Sequence, residues 1–437
     1  MGARVNGRRV AVIGAGYAGI AAAVDLVRGG AAVTLYDANR TAGGRARRVE
    51  YRDTVLDNGQ HLLLGAYRDT LALMRAVDVP RNALRREPLG LHYPGTLGLA
   101  APRLPAPLHL AAALVFAGGL SLADRISAFA FAFAVRRAEA AARPGECVAA
   151  FLSRLAQPER LRRLLWEPLC VAALNTPAER ADARVFSRVL HDALARSRAD
   201  SDLVFPAHDL SALLPDPAIS WLGERGAQVV LGARVTALVP EGAQWRLAAA
   251  GNSGTFDAVV CAAAAHEAAA LLGGIPGLAA LAAKIGAIPH EPITTVYLQY
   301  EGRVRLPFPM TGVDGGHAQW LFDREALSGA RGLVAAVISD SRHEAALDQD
   351  VLSTAVHREV ARVAALPGPP RWTKVITEKR ATFACEPGTF RPPAGTGAPG
   401  LALAGDYTEG PYPATLEAAV QSGSRAARTI LDRSPTP

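Results

Sequence analysis

A chain of 437 residues, half of them apolar, can bury an extended core and is too long for one ordinary domain, so two domains are expected. Its net charge of +7 comes from 47 basic against 40 acidic residues, and every basic residue but Lys284, Lys374 and Lys379 is arginine. No basic stripe is interleaved with aromatics, which argues against a nucleic-acid partner, while the positive charge allows weak attraction to an anionic membrane surface.

Near the start, VAVIGAGYAGIAAAVDLVRGGAAVTLYDA reads as strand, glycine turn, helix and second strand. Gly14 allows the tight turn, Gly16 lets the backbone approach a pyrophosphate, and Gly19 lets helix and strand pack closely. The helix N-terminus around Ala18 offers free N–H groups and a positive dipole end to an anion. Asp37 lies eighteen residues after Gly19, ends the second strand and is placed to accept hydrogen bonds from ribose hydroxyls. With the apolar strand and the alanine-rich helix around it, the turn is a complete dinucleotide fingerprint. Because this opening strand is itself the start of the fold, no signal peptide is expected.

Two further turns follow, Gly43-Gly44-Arg45 and Asp57-Asn58-Gly59-Gln60-His61, for which a nicotinamide-only domain has no particular need. Residues 108–135 hold two apolar helical runs separated by a Gly-Gly break and a Ser121-x-x-Asp124 capping pattern. Each run is too short to cross a bilayer, and the pair reads either as a buried helical hairpin or as a greasy wall for a lipid substrate docked on a membrane. Later come alternating strands in GAQVVLGARVTALVPEGAQWRL, then the apolar strand and helix of TFDAVVCAAAAHEAAALL. Beyond the Pro/Gly-rich loop EPGTFRPPAGTGAPG, LALAGDYTEGPYPATLEAAVQSGSRAARTIL gives a buried strand, Gly405-Asp406, a Pro-containing loop and a helix beginning near Thr415. The SPTP tail is expected to fray. Cys147, Cys170, Cys261 and Cys385 form no CxxC pair and read as reduced thiols of a cytosolic protein; the FACEPG context of Cys385 lacks a flavin-attachment signature. No metal cluster is read.

Together these motifs resemble the FAD fold shared by flavin amine oxidases, carotenoid desaturases and their relatives. The resemblance implies an α/β architecture: a Rossmann-type FAD domain, discontinuous over 1–95, 210–272 and 381–437, with a mixed α+β substrate domain inserted as 96–209 and 273–380. It implies that the first motif holds the ADP half and that Gly44-Arg45 lies along the diphosphate and ribityl chain, with Gly59-Gln60-His61 next to the flavin. It also implies that the backbone of Val235 meets the adenine, that Asp406 after Gly405 meets the ribityl or phosphate, and that the helix from Thr415-Leu416 points its N-terminus at the flavin pyrimidine.

A narrower resemblance rests on Trp166-Glu167-Pro168-Leu169-Cys170, the Ala-Leu-Asn-Thr run at 173–176, Asp202-Leu203-Val204-Phe205-Pro206 and the Glu378–Phe383 run. It is to the bacterial squalene-associated FAD-dependent desaturases, understood as hydroxysqualene dehydroxylases, and covers essentially the whole chain. It implies reduction of hydroxysqualene to squalene in squalene and hopanoid biosynthesis, with reduced FAD as hydride donor and a lipophilic C30 isoprenoid as substrate. Removing hydroxide from an allylic alcohol needs a proton donor and an apolar pocket that excludes water. The candidate acids are Glu167, in an apolar helix where desolvation would raise its pKa, Glu291 beside His290, and His61; Asn175 and Tyr297 are further hydrogen-bond donors. A polyene desaturase shares the fold and substrate class and differs in the direction of hydride transfer. An amine oxidase commonly has a lysine on the strand under the flavin, where PITTVYLQY carries Thr295. A non-enzymatic lipid-binding protein has no use for the intact glycine turn, Asp37 and Asp406. No second nucleotide fingerprint is present, so NAD(P)H visiting the flavin or a partner reductase would supply electrons. The expected location is cytoplasmic, with peripheral contact at the inner face of the membrane.

Overall fold

The computed structural model describes residues 7–136, 142–194, 196–249, 251 and 253–432, so the SPTP tail lies outside the described residues. Strand β1 (Arg9–Ile13) leads through helix α1 (Tyr17–Arg28) into strand β2 (Ala32–Asp37), as the fingerprint predicts. In a five-stranded parallel sheet the order is Gln228–Leu231, β2, β1, Ala258–Cys261 and Leu401–Leu403, so one sheet is assembled from three distant stretches of chain. Such strands are covered on both faces and read as near-continuous apolar runs, which is why AVTLYD and AVVC are buried almost end to end.

Helix α1 covers one face together with the C-terminal helix Leu416–Leu431. Their backbones meet at Gly423, where a Cβ would fall 2.1 Å from the Ala18 carbonyl oxygen. A glycine there is a packing requirement.

A second five-stranded sheet is antiparallel, ordered Met310–Gly312, Trp320–Asp323, Leu333–Ser339, His290–Gln299 and Trp372–Phe383. The fold is therefore the expected Rossmann-type α/β domain carrying a mixed α+β portion. Two strands bridge the division drawn from the sequence. Trp372–Phe383 continues through residue 380 without a break, and Leu203–Pro206 pairs with Leu63–Leu64 and Leu84–Glu87 of the first segment. Hydrogen-bonded strands thus tie the two portions together.

The 108–135 stretch forms helices Leu108–Val115 and Leu122–Arg136. The capping box closes as read: the Asp124 carboxylate accepts from the Ser121 amide at 2.9 Å and hydroxyl at 2.8 Å, and the Asp124 amide donates to Ser121 Oγ at 3.1 Å. Among the described residues no helix is long and apolar enough to cross a membrane.

Candidate active site

One large cavity, of about 720 Å³, joins the glycine turn to the inserted portion. Gly14, Gly16, Ala18 and Asp37 line it, followed by Gly44, Arg45, Gly59, Gln60 and His61; Val235, Gly405, Asp406, Thr415 and Leu416 complete the residues expected for a cofactor. Gly19 lies beneath the lining. Leu110, Leu114, Leu165, Trp166, Leu169 and Phe322 extend the same cavity as an apolar surface.

Each glycine of the turn has its own reason. Gly14 adopts φ +104°, and a Cβ on it would meet the Ala262 carbonyl oxygen at 2.6 Å. A Cβ on Gly19 would fall 1.8 Å from the Gly14 carbonyl oxygen, so this is where helix and strand pack too closely for a side chain. Gly16 differs. Its backbone is extended (φ −75°, ψ 176°), and a Cβ would find only the Cα of Gly44 at 3.8 Å, an ordinary contact. Nothing in the protein requires a glycine at 16, whereas a pyrophosphate laid between the first turn of α1 and the Gly43-Gly44 turn would. Gly16 also caps α1 without a side-chain hydrogen bond, leaving the first-turn amides to a ligand.

Asp37 is buried, and its carboxylate already works within the turn. Oδ2 accepts from the Ala15 amide at 2.6 Å, and Oδ1 from the Asn39 amide at 2.7 Å and side chain at 3.1 Å. A ribose would use the remaining lone pairs, so Asp37 shapes the cradle as well as facing the ligand. Across the cavity Arg45 pairs with Asp406 at 2.7 Å and donates to the Ala381 carbonyl. Asn58 bridges the Arg45 carbonyl and Glu378, both at 3.2 Å. This places one guanidinium among cavity-facing polar groups where an FAD diphosphate would need a positive charge.

Gln60 is fixed from behind. Arg324, almost wholly buried, donates to its Oε1 at 2.7 Å and reaches Asp57 at 3.4 Å. Burial pushes the Asp57 carboxyl up to about 6, against the pull of Arg324. Sequence reading named the Asp57–His61 run but not Arg324, which lies 264 residues from Gln60 and carries no local signal. Burial lowers the pKa of His61. Its Nδ1 lies 2.9 Å from the Gly59 carbonyl, which can only accept; Nδ1 is therefore the protonated nitrogen, and Nε2 of the neutral ring is an acceptor.

The polar cluster that sequence reading missed is Tyr412, Tyr67 and Asp192, all lining the cavity. Tyr412 Oη donates to Asp192 at 2.6 Å, and the same carboxylate meets Arg188 Nε at 2.6 Å, His191 Nδ1 at 3.2 Å and Arg196 at 3.6 Å. Burial works against the Asp192 charge, but hydrogen bonds from Tyr412, Arg188 and His191 hold its carboxyl below the usual range. Burial, then the neighbouring Asp192, drives the Tyr412 phenol well above its ordinary value, and burial does the same at Tyr67.

Two expected acids stand elsewhere. Glu167 does not line the cavity; about a third of its side chain is exposed, and it pairs with Arg162 at 3.2 Å. The apolar enclosure expected for it belongs to Trp166, one residue earlier on the helical turn, whose indole faces the cavity and donates to Gln157 at 2.9 Å. Glu291 is buried but clamped between Arg180 at 2.9 Å and Arg342, and it too lies outside the lining, whereas His290 lies within it, because successive residues of a strand face opposite ways. Asn175 lines the cavity with its amide engaged, donating to Thr382 Oγ1 at 3.0 Å and accepting from the Asp340 amide at 2.7 Å. Tyr297 donates to the Asp57 carbonyl at 3.0 Å, away from the lining. None of the three lysines lines the cavity, and Thr295 is buried on its strand close to Gly59.

The four cysteines are also absent from the lining, and Cys385 is buried with its amide on Thr176 Oγ1 at 3.0 Å. FAD is therefore expected to be held noncovalently. Acid precipitation should release the yellow chromophore into the supernatant, and colour retained in the pellet would refute a noncovalent site.

The dinucleotide cradle, the parallel sheet and the cavity between the two portions are those of a flavin-dependent oxidoreductase. Residues 17–431 match the model of the flavin-containing amine oxidoreductases, and the chain belongs to that family. It is 30% identical over 453 residues to a hydroxysqualene dehydroxylase from Rhodopseudomonas palustris, with 97% of this chain and 98% of that one covered. A hydroxysqualene dehydroxylase from Sinorhizobium fredii is 27% identical over 98% of this chain and 100% of its own. The fold superposes on cyclohexylamine oxidase from Brevibacterium oxydans with a TM-score of 0.70 at 17% identity, over 97% and 99% of the two chains. The cofactor is FAD, and the cradle, Arg45 and the free helix N-terminus fit it.

Proposed function

We propose that this enzyme reduces hydroxysqualene to squalene. The observation that carries the reading is a single cavity in which a dinucleotide cradle opens directly onto an apolar lining with no lysine. The names of the full-length relatives support the same substrate. When bound and reduced, FAD supplies the hydride. The chain supplies the rest: Gly14, Gly16 and Arg45 hold the diphosphate, Asp37 the ribose, and Leu110, Leu114, Trp166 and Phe322 exclude water from an allylic cation.

A proton must reach the departing hydroxyl. The neutral His61 ring presents an acceptor to the cavity, whereas Tyr412 keeps its phenolic proton throughout the neutral range. Tyr412 Oη is the donor in this reading. Asp192 holds that phenol at rest; its one proton swings from the carboxylate to the departing hydroxyl, which leaves as water, and Arg188 and Arg196 offset the negative charge left on the phenolate. Electrons reach the flavin from NAD(P)H or a reductase, and peripheral contact with a membrane belongs to the same reading.

Anaerobic incubation of the photoreduced enzyme with hydroxysqualene tests the function. Flavin reoxidation matched by stoichiometric squalene is expected, as is failure to desaturate squalene or phytoene with oxidised flavin. Desaturation without dehydroxylation would give the enzyme to the polyene desaturases.

A further inference from the structure

Eight of the thirteen large apolar side chains exposed among the described residues fall between residues 104 and 133. On the Leu122–Arg136 helix the exposed positions are Leu122, Ile126, Phe129 and Phe133, spaced four, three and four apart, which is one continuous stripe. The preceding helix adds Leu108 and Val115, and Phe116 stands at its end, 82% exposed. Monomeric proteins rarely leave this much contiguous apolar surface to water without a use for it.

The inward faces of the same two helices are cavity wall. Leu110, Ala113 and Leu114 of the first, with Ala128 and Ala132 of the second, line the space that continues to the FAD cradle. One layer of helix therefore separates an apolar outer surface from an apolar interior.

Charge identifies the occupant. From residue 101 to 136 the only acidic side chain is Asp124, and it is buried in the capping box. Arg125 donates to the Ala117 carbonyl at 2.9 Å and Arg160 to the Gly119 carbonyl at 2.6 Å, which puts two guanidiniums beside the Gly-Gly break; Arg103 is exposed just before the first helix. An apolar stripe edged by arginine suits the boundary between anionic headgroups and acyl chains, whereas another protein surface would offer no general match to such an edge.

We infer that the outer face of the Leu108–Val115 and Leu122–Arg136 helices docks on an anionic bilayer and that the C30 substrate enters the cavity across this helix pair. The entry route rests on the proposed substrate; the docking surface does not. Phe116, Ile126 and Phe133 would sit below the headgroups, with Arg103, Arg125 and Arg160 at the level of the phosphates.

Flotation of the FAD-loaded enzyme with vesicles of phosphatidylcholine, with and without phosphatidylglycerol, tests it. Binding to the anionic vesicles is expected to exceed binding to the neutral ones. The triple variant Phe116→Asp, Ile126→Asp, Phe133→Asp should lose at least about tenfold in binding while keeping its flavin. Turnover of hydroxysqualene presented in vesicles should fall with it, and turnover of detergent-dispersed substrate should not. Failure of the wild-type enzyme to bind either vesicle, or unchanged binding by the variant, overturns the inference. So does a wild-type dimer that the same substitutions dissociate without any effect on vesicles, which would give the face to a second copy of the chain. Vesicle binding without any dehydroxylation would leave the docking surface standing and refute the proposed reaction instead.

Discussion

Gly16→Val is expected to yield a folded protein that purifies colourless. The extended backbone at position 16 is open to a β-branched residue, and the new Cβ would meet only the Gly44 Cα at van der Waals distance, so the turn itself has no quarrel with valine. The added methyl groups occupy the gap between the first turn of α1 and the Gly43-Gly44 turn, where an FAD diphosphate would approach backbone amides. Excluding those contacts removes several charge-assisted hydrogen bonds at about 1.5–3 kcal/mol each, enough to weaken FAD binding by two orders of magnitude or more. Gly19→Ala is the contrasting case. Its methyl would lie 1.8 Å from the Gly14 carbonyl oxygen, so the defect should appear in folding, as a lower Tm or insoluble protein, before it appears in binding. Flavin absorbance per protein, read beside a thermal melt of the apoprotein, separates the two. A yellow Gly16→Val enzyme with wild-type affinity would remove the diphosphate from this turn.

The contrast shows which parts of the molecule were legible in the sequence. The cradle was legible because its requirements are local: two glycines that cannot carry a Cβ, a strand end that places Asp37, and a helix start, all within thirty residues. The C-terminal strand, turn and helix were legible for the same reason, as they follow in succession. The polar side of the cavity was not. Tyr412 and Asp192 are 220 residues apart, and Gln60 and Arg324 are 264 apart; each pair exists only because the chain passes repeatedly between the two portions. Glu167 misled for a different reason. Its neighbours are apolar, but in a helix one residue turns the side chain through roughly 100°, so Trp166 takes the inward direction and Glu167 faces Arg162 at the surface. Composition around a residue does not report its face; periodicity does. The outer helices make the same point, since 122, 126, 129 and 133 carry the exposed set and 128, 131 and 135 the buried one.

Tyr412→Phe is expected to keep FAD and fold and to lose roughly two to four orders of magnitude in single-turnover reoxidation by hydroxysqualene, the usual scale for removal of a general acid. The substitution deletes one oxygen, and Asp192 retains Arg188 and His191, so the carboxylate is not left without partners. Glu167→Gln, at a surface position paired with Arg162, should react at close to the wild-type rate. The pH dependence distinguishes the remaining donor. A phenol whose pKa burial and Asp192 have raised stays protonated from about pH 6 to 8, so a tyrosine donor gives a rate that is flat over that window. Burial lowers the pKa of His61, so only at pH below the ordinary histidine range would it become an imidazolium able to donate, and a histidine donor gives a rate that climbs toward acid pH. Near-normal reoxidation by the Phe variant, together with an acid-side rise abolished in His61→Ala, would move the proton to His61.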